Sequence, residues 1–377
     1  MSSTRFSLST PQPWAKWYAG NLAGCPGRIL RPEPFRETTI RNYNLCLLGF
    51  GNVNRTLVRL LTKKDPQLRE RGIAWRITGV ATRRMGWIAD SEGLDADAIL
   101  RDSFSGQSRA GAAPNDVRGW LHLARADVLF EATSLSPRDG QPAIDHIRAA
   151  LELGAHAVTA NKGPIVHAYE ELSAMAIANG RRFLFESTVM DGVPIFALFR
   201  DNLPAIQLNG FRGILNSTTN VILSGVEEGL SFEESLIKAQ EIGVAETDAS
   251  NDIEGWDAAV KVAALIRVLM GVPIRLEEIQ REGIGKLNEE AIRAARGDGK
   301  PYKLVCRAQR TDQGVTASVR PEQVPLSDPL AWVAGTSSIV YFETDIFPGL
   351  AITENNPGLD ATAYGMLADF VRAVTET

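Results

Sequence analysis

The 377-residue chain holds three cysteines and four histidines, and neither set is spaced for chemistry. Cys25, Cys46 and Cys306 lie far apart, which excludes a disulfide framework or a CxxC metal site. His122, His146, His156 and His167 show no metal-ligand spacing and read as surface or satisfied side chains. A basic excess is also missing. The formal net charge is −5, the opposite of the basic patch that nucleic-acid binding uses. The longest apolar runs, such as residues 258–269, are interrupted by charge and fall short of the ~20 residues needed to cross a bilayer. Nucleic acid and membrane are thus excluded as partners, and any chemistry must run on carboxylates, lysines and a cofactor.

The first 40 residues differ from the rest: they are rich in Ser, Pro and Arg, with Glu33 and Glu37 the only acids. That composition suits a transit peptide, a disordered tail or a start codon placed too early. The lack of an apolar stretch argues against a secretory signal. The remainder is long enough for two domains of ordinary size.

Residues 44–50 (NLCLLGF) form a short apolar run that suits a fully buried parallel strand. The turn Gly49-Phe50-Gly51-Asn52-Val53-Asn54 then leads into a helical pattern with Val53, Leu57, Leu60 and Leu61 on one face. Residues 75–82, 127–132 and 156–160 read as further strands, with a helix from Pro142 to Gly154 between the last two. This alternation predicts a doubly wound parallel sheet. Past residue 165 it loosens into strands at 183–186 and 206–215 and a helix over 231–243 capped by Ser231 and Glu234. A long helix over 253–270, mixed strands over 302–347 and a closing helix over 362–374 complete the reading. The expected class is α/β, a Rossmann-type sheet plus a mixed α+β domain.

Two glycines between a strand and a helix let the backbone approach a pyrophosphate at the helix N-terminus. Gly49 and Gly51 fill those positions, Asn52 and Val53 open the helix, and the usual third glycine is Asn54. An acidic residue at the end of the second strand would select NAD; here Thr82-Arg83-Arg84 suits a 2′-phosphate, so NADP is expected ahead of NAD. Thr133, just past the strand at 127–132, joins the expected cofactor contacts. An ordinary strand-to-helix turn with solvated arginines is the alternative.

The densest chemistry lies in residues 246–261, ETDASNDIEGWDAAVK. Glu246, Asp248, Asp252, Glu254 and Asp257 lead into a helix apolar on all sides, hence buried. Asp257 and Lys261, four apart, share a helix face. Ionisable groups are costly to bury unless paired, and such groups mark function. A partly buried lysine with a lowered pKa can exchange the hydroxyl proton of an alcohol while a nicotinamide takes the hydride. Carboxylates beside it can hold the ammonium group of an amino-acid substrate. The plain alternative is a surface ion pair beside an acidic loop. A second lysine, Lys162, follows a strand at its carboxyl end, where open α/β sheets bind ligands.

From about residue 42 to 374 the sequence resembles the homoserine dehydrogenases. The resemblance rests on the spacing of Glu246, Asp248, Asp252, Asp257 and Lys261. VTANK at 158–162, GILNSTTNVIL at 213–223 and the Asn356-Pro357-Gly358 turn before the last helix support it. It implies reversible conversion of L-homoserine to L-aspartate 4-semialdehyde, in threonine and methionine biosynthesis, by a cytoplasmic homodimer. It also implies a dinucleotide-binding domain over 41–165 completed by 354–377, and a catalytic and dimerisation domain over 166–353. Lys261 and Lys162 would serve proton transfer and substrate positioning, and Asp257 would orient the hydroxyl or Lys261. Glu246, Asp252 and Thr218 would hold the substrate, the two carboxylates taking its ammonium group. Glu186, with the carbonyls of Val189, Asp191 and Val193, would bind a monovalent cation, Na or K.

The sequence departs from the family at Asn54, at Asp191 (usually small), at Val244 (usually tyrosine) and at Ser217 in NSTTN. Those departures leave open another hydroxy amino acid or semialdehyde as substrate, or a non-catalytic NADP-binding protein. Neither a C-terminal regulatory domain nor a kinase domain is expected, and with them no feedback inhibition by threonine.

Overall fold

A computed structural model describes residues 39–101 and 116–375; the Ser-, Pro- and Arg-rich N-terminal stretch up to residue 38 lies outside them. Two six-stranded sheets carry the architecture. In the first, β1 (Arg41–Leu48) pairs in parallel with β2 (Ile73–Thr82) and β4 (Val128–Glu131). Next to β4 come β5 (His156–Thr159) and β6 (Phe183–Leu184), also parallel, while β3 (Gly86–Ala89) folds back antiparallel on β2. The order β3-β2-β1-β4-β5-β6 reverses direction between β1 and β4, which opens a ligand crevice at the carboxyl ends of those strands.

The apolar run in β1 has its cause in this sheet, because both faces are covered. Leu45 and Leu47 join Leu57, Leu61 and Phe370 on one side, and Cys46 and Leu48 join Trp120 and Leu121 on the other. Helices α1 (Asn52–Glu70), α2 (Ala143–Glu152) and α3 (Gly163–Ala178) supply the crossovers.

The second sheet has the order β12-β11-β7-β9-β10-β8 and is mostly antiparallel. Its strands are β7 (Leu208–Ile214), β8 (Gln280–Arg281), β9 (Tyr302–Thr311), β10 (Gly314–Gln323), β11 (Ser338–Thr344) and β12 (Leu350–Glu354). Helices α4 (Ser217–Glu227), α5 (Phe232–Glu241) and α6 (Trp256–Leu265) accompany it. The capping box at Ser231 and Glu234 forms as its spacing predicts.

Two expectations need correction. The helix over 253–270 is not continuous: a short turn at Ser250–Ile253 ends at Gly255, whose φ of 82° only glycine adopts easily, and α6 starts after it. A π turn over Ile266–Met270 follows. Apolar periodicity carried through the break because both pieces face one core. The strand at 183–186 stops at Leu184, because the Glu186 N–H turns away to donate to Asp369 Oδ2 at 2.7 Å.

That aspartate lies on the closing helix α7 (Leu359–Thr375), which returns to the first sheet and buries Ala363, Met366 and Phe370 against α1 and β1. Gly192 and Gly365 meet where it crosses, and a Cβ on Gly192 would run into the Ala361 carbonyl. Among the described residues, no helix is long and apolar enough to cross a membrane.

Candidate active site

The nucleotide loop sits where the sheet order reverses. Gly49 has φ of 79°, and a Cβ there would collide with the Ala132 carbonyl of the neighbouring strand end. Gly51 faces open space: nothing lies within 4 Å of where its Cβ would be. It is also the N-cap of α1, with no side chain closing the first turn. The N–H groups of Asn52 and Val53 therefore stand at an uncapped helix start, the setting in which a phosphate binds. The residues present fit a dinucleotide.

Asn54 accounts for its own departure from the glycine pattern. Fully buried, it donates from Nδ2 to the Gly49 carbonyl at 2.8 Å and the Leu48 carbonyl at 3.3 Å, bracing the turn from beneath. Arg83 and Arg84 are exposed in the tight turn from β2 to β3, where Thr82 Oγ1 accepts the Met85 N–H at 2.9 Å. Thr133 leaves the end of β4 and donates its N–H to Glu131 at 2.9 Å. Glu131, buried at the crevice floor, carried no signal in the sequence beyond ending a strand.

Lys162, at the end of β5 and the start of α3, and Asp257 and Lys261, on the first two turns of α6, come together between the two sheets. Asp257 bridges the lysines: Oδ1 lies 3.2 Å from Lys162 Nζ and Oδ2 lies 2.9 Å from Lys261 Nζ. All three side chains are less than a fifth exposed, at 19%, 18% and 17% in chain order. Lys261 Nζ also donates to the Leu215 carbonyl at 2.6 Å, so two of its three N–H bonds are spoken for and one is left. Asn216, the N-cap of α4, donates from Nδ2 to Asp252 Oδ1 at 2.6 Å and Asp257 Oδ2 at 3.0 Å. Its role went unread in the NSTTN segment, because an N-cap asparagine is too common to single out.

The electrostatics correct the expectation that Lys261 has a lowered pKa. Burial does work in that direction, but Asp257 outweighs it, with Asp191 and Asp252 adding, and the ammonium is held above its usual range. Burial likewise pushes Asp257 up, yet Lys162 and Lys261 together hold it below the carboxylate range. Asp252 moves the other way, raised by burial and then by the charge of Asp257. Glu354, at the end of β12, is pushed up to about 7 by burial and by Asp191. No sequence pattern marks Glu354, because only the strand pairing turns the end of β12 toward this centre.

The remaining predicted residues divide. Thr218 is buried and donates to the Val244 carbonyl at 2.8 Å, tying α4 to the acidic segment. Glu246 is exposed and makes no ion pair with a described residue; its carbonyl accepts from Gln240 Nε2 at 3.2 Å. The structure therefore does not bring Glu246 to the lysines as it brings Asp257. Glu186 is buried, and its two carboxylate oxygens accept the N–H groups of Phe196 at 2.7 Å and Ala197 at 2.9 Å. In Val189–Val193 the left-handed residue Asp191, with φ of 54°, accepts the Thr362 hydroxyl at 2.6 Å. The Val193 carbonyl accepts the Ile195 N–H at 2.8 Å.

Comparison with known proteins agrees with this geometry. Residues 49–186 match the family model described as the homoserine dehydrogenase NAD-binding domain, and residues 194–371 match that of homoserine dehydrogenase. An NAD(+)-dependent homoserine dehydrogenase of Pseudomonas canavaninivorans is 35% identical over 87% of this chain and 95% of its own. A homoserine dehydrogenase of Methanocaldococcus jannaschii is 32% identical over 89% of this chain and 99% of its own. Among solved structures, a homoserine dehydrogenase described as putative from Archaeoglobus fulgidus superposes with a TM-score of 0.77 at 31% identity, covering 88% of this chain and 98% of the other. A hyperthermophilic archaeal homoserine dehydrogenase solved with NADPH gives 0.74 at 26% identity, over 89% of this chain and 99% of that one. With both halves matched and relatives above 30% identity along nearly the whole described chain, this protein belongs to the homoserine dehydrogenase family.

Proposed function

We propose that Lys261, Asp257 and Lys162 form the acid–base centre with which this oxidoreductase interconverts L-homoserine and L-aspartate 4-semialdehyde. The observation that carries the reading is the carboxylate of Asp257 held between two largely buried ammonium groups, beside a crevice shaped for NAD(P). Bound NAD(P) supplies the hydride donor or acceptor. In aldehyde reduction, the free N–H of Lys261 points its proton at the substrate oxygen as that oxygen gains negative charge. In alcohol oxidation, Lys261 must first lose its proton, so this direction speeds up as pH rises. Lys162 orients the same oxygen from the opposite side of Asp257, and Asp257 keeps both ammonium groups charged and aimed. Asp252, with Thr218 beside it, anchors the substrate's ammonium group, and Glu246 contributes from the solvent side.

Arg83 and Arg84 favour NADP by facing a 2′-phosphate at the end of β2. A monovalent cation would be held by Glu186 with the carbonyls of Val189, Asp191 and Val193; each Glu186 oxygen accepts one backbone N–H and keeps lone pairs to spare. A titration of activity with KCl and NaCl tests that site. We further propose a cytoplasmic homodimer. Trp332 and Ile346, exposed at 66% and 68%, offer apolar surface for association, and sedimentation velocity decides the state.

The direct test is absorbance of the reduced nicotinamide with L-homoserine and either cofactor, beside Lys261→Ala. Homoserine-dependent reduction that drops by about 10²-fold or more in the variant supports the reading. Absence of reduction with either cofactor refutes homoserine as substrate, and a panel of other hydroxy amino acids follows.

A further inference from the structure

Glu131 is 0% exposed, and among the described residues no lysine or arginine pairs with it. An ionised carboxylate in that position costs several kcal/mol unless hydrogen bonds replace its water. It obtains them from two loops. Oε1 accepts the N–H of Thr133 at 2.9 Å and also the Thr133 hydroxyl, while Oε2 accepts the Thr159 hydroxyl at 2.7 Å. Burial still raises its pKa, the hydrogen bonds working against that rise.

The bonds continue as a closed ring. Thr159 Oγ1 accepts the Asn161 N–H at 2.9 Å. Asn161 Nδ2 reaches back to the carbonyls of Thr133 at 3.3 Å and Ser134 at 3.4 Å, and its Oδ1 accepts the Gly163 N–H at 3.0 Å. Lys162 lies between Asn161 and Gly163, so both residues flanking it belong to the network that closes on Glu131. From that anchored backbone its Nζ spans the gap to Asp257, at 3.2 Å. An acceptor on both oxygens is something a carboxylate offers and an amide does not, which gives this buried acid a reason to be present.

We propose that Glu131 is a positioning residue: by tying the loop after β4 to the loop after β5, it fixes the aim of Lys162 at Asp257 and the reacting oxygen. This deepens the reading of Lys162 given above and rests on it for its kinetic consequences. Its structural claim, that Glu131 holds Lys162 in place, stands independently.

The test is a double-mutant cycle of Glu131→Gln and Lys162→Ala, assayed with saturating cofactor. Glu131→Gln alone is expected to lower kcat by about 10-fold or more while the KM for homoserine changes little, since a small misplacement of a catalytic group has large effects. In the Lys162→Ala background the same change is expected to cost less than about 3-fold, because its target is already gone. An equal loss in both backgrounds, or no loss in either, overturns the proposal. A readout free of turnover separates it from the choice of substrate: amine-reactive labelling followed by mass spectrometry. In Glu131→Gln, Lys162 is expected to label several-fold faster, released from Asp257, while Lys261 labels as before. Unchanged labelling of Lys162 refutes the proposal even if homoserine proves to be the wrong substrate. Should Glu131→Gln not fold, Thr159→Val cuts the same ring at one hydroxyl and is expected to reproduce both effects more weakly; no change in it counts against the ring.

Discussion

The nucleotide crevice and the catalytic cluster lie at the ends of the same parallel strands but are built of different material. The crevice is backbone: a left-handed glycine at 49, an open glycine at 51 and an uncapped helix start. The cluster is charge: two lysines and two aspartates drawn from the loop after β5, from α6 and from the turn before it, linked through the α4 cap residue Asn216. Backbone geometry is fixed by a few residues in sequence and carries no compensating partner. Charges brought from distant segments depend on one another, so loss of one disturbs the rest. The two regions should therefore fail in different ways.

The largest effect is expected at the cluster, from Asp257→Asn. The substitution leaves two ammonium groups facing an amide, and removing one partner of a buried ion pair costs about 3–5 kcal/mol. With side chains still 17–19% exposed, the lower part of that range is the better expectation. Urea unfolding reads the stability, and kcat is expected to fall by about 10²-fold or more, as for loss of an acid–base group. The pH dependence follows from the sign of the shift. Asp257 is depressed in the folded state, so its contribution is present above the unfolded value near ~3.9 and is lost as pH falls through the lower folded value. The gap between the native protein and Asp257→Asn should be flat from about pH 5 to 8 and close only in acid. A gap that widens on acidification contradicts the assignment.

Next in size is Gly49→Ala in the crevice. The added methyl meets the Ala132 carbonyl at a residue with φ of 79°, so the loop must shift. Strain of that kind costs about 1–3 kcal/mol. The loss should appear mainly as a raised KM for the cofactor, with kcat at saturation within about 3-fold, because the loop binds the dinucleotide equally in ground and transition states. A fall in kcat with unchanged KM would instead mean that crevice and cluster are one coupled unit. Asn54→Ala should be milder. It frees the Gly49 and Leu48 carbonyls from their side-chain donor, a loss of about 1–3 kcal/mol in stability, with a smaller rise in cofactor KM.

The same division explains what the sequence could and could not tell. The first sheet, its strand–helix alternation and the glycine turn were legible, since each is a local pattern: apolar runs, helix stops and a glycine pair. Lys162, Asp257 and Lys261 were legible as candidates because lysine and aspartate stand out in an apolar helix and at a strand end. Their distances and the direction of the Lys261 shift were not, because burial and the charge of Asp257 oppose each other and only the 2.9 Å approach of Asp257 settles their balance. Gly255 broke a helix that periodicity ran straight through. Glu131 was invisible for a related reason. Its partners, Thr133, Thr159 and Asn161, are ordinary residues whose meeting depends on the register of β4 against β5.

The smallest and sharpest test concerns Arg83 and Arg84, the proposed place where charge enters the crevice. Both are exposed in the β2–β3 turn, and neither makes an ion pair with a described residue, so both are available to a 2′-phosphate beside the end of β2. Replacing both arginines by serine should lower kcat/KM for NADP by about 10-fold, worth roughly 1.4 kcal/mol, and leave that for NAD nearly unchanged. Raising the salt should weaken any preference for NADP that the arginines confer, because the Debye length shortens from about 10 Å at 0.1 M to about 3 Å at 1 M and screens an exposed arginine–phosphate contact. If the variant loses NAD and NADP activity in equal measure, the arginines hold the loop and not the phosphate. Selection would then belong to the backbone of the β2–β3 turn.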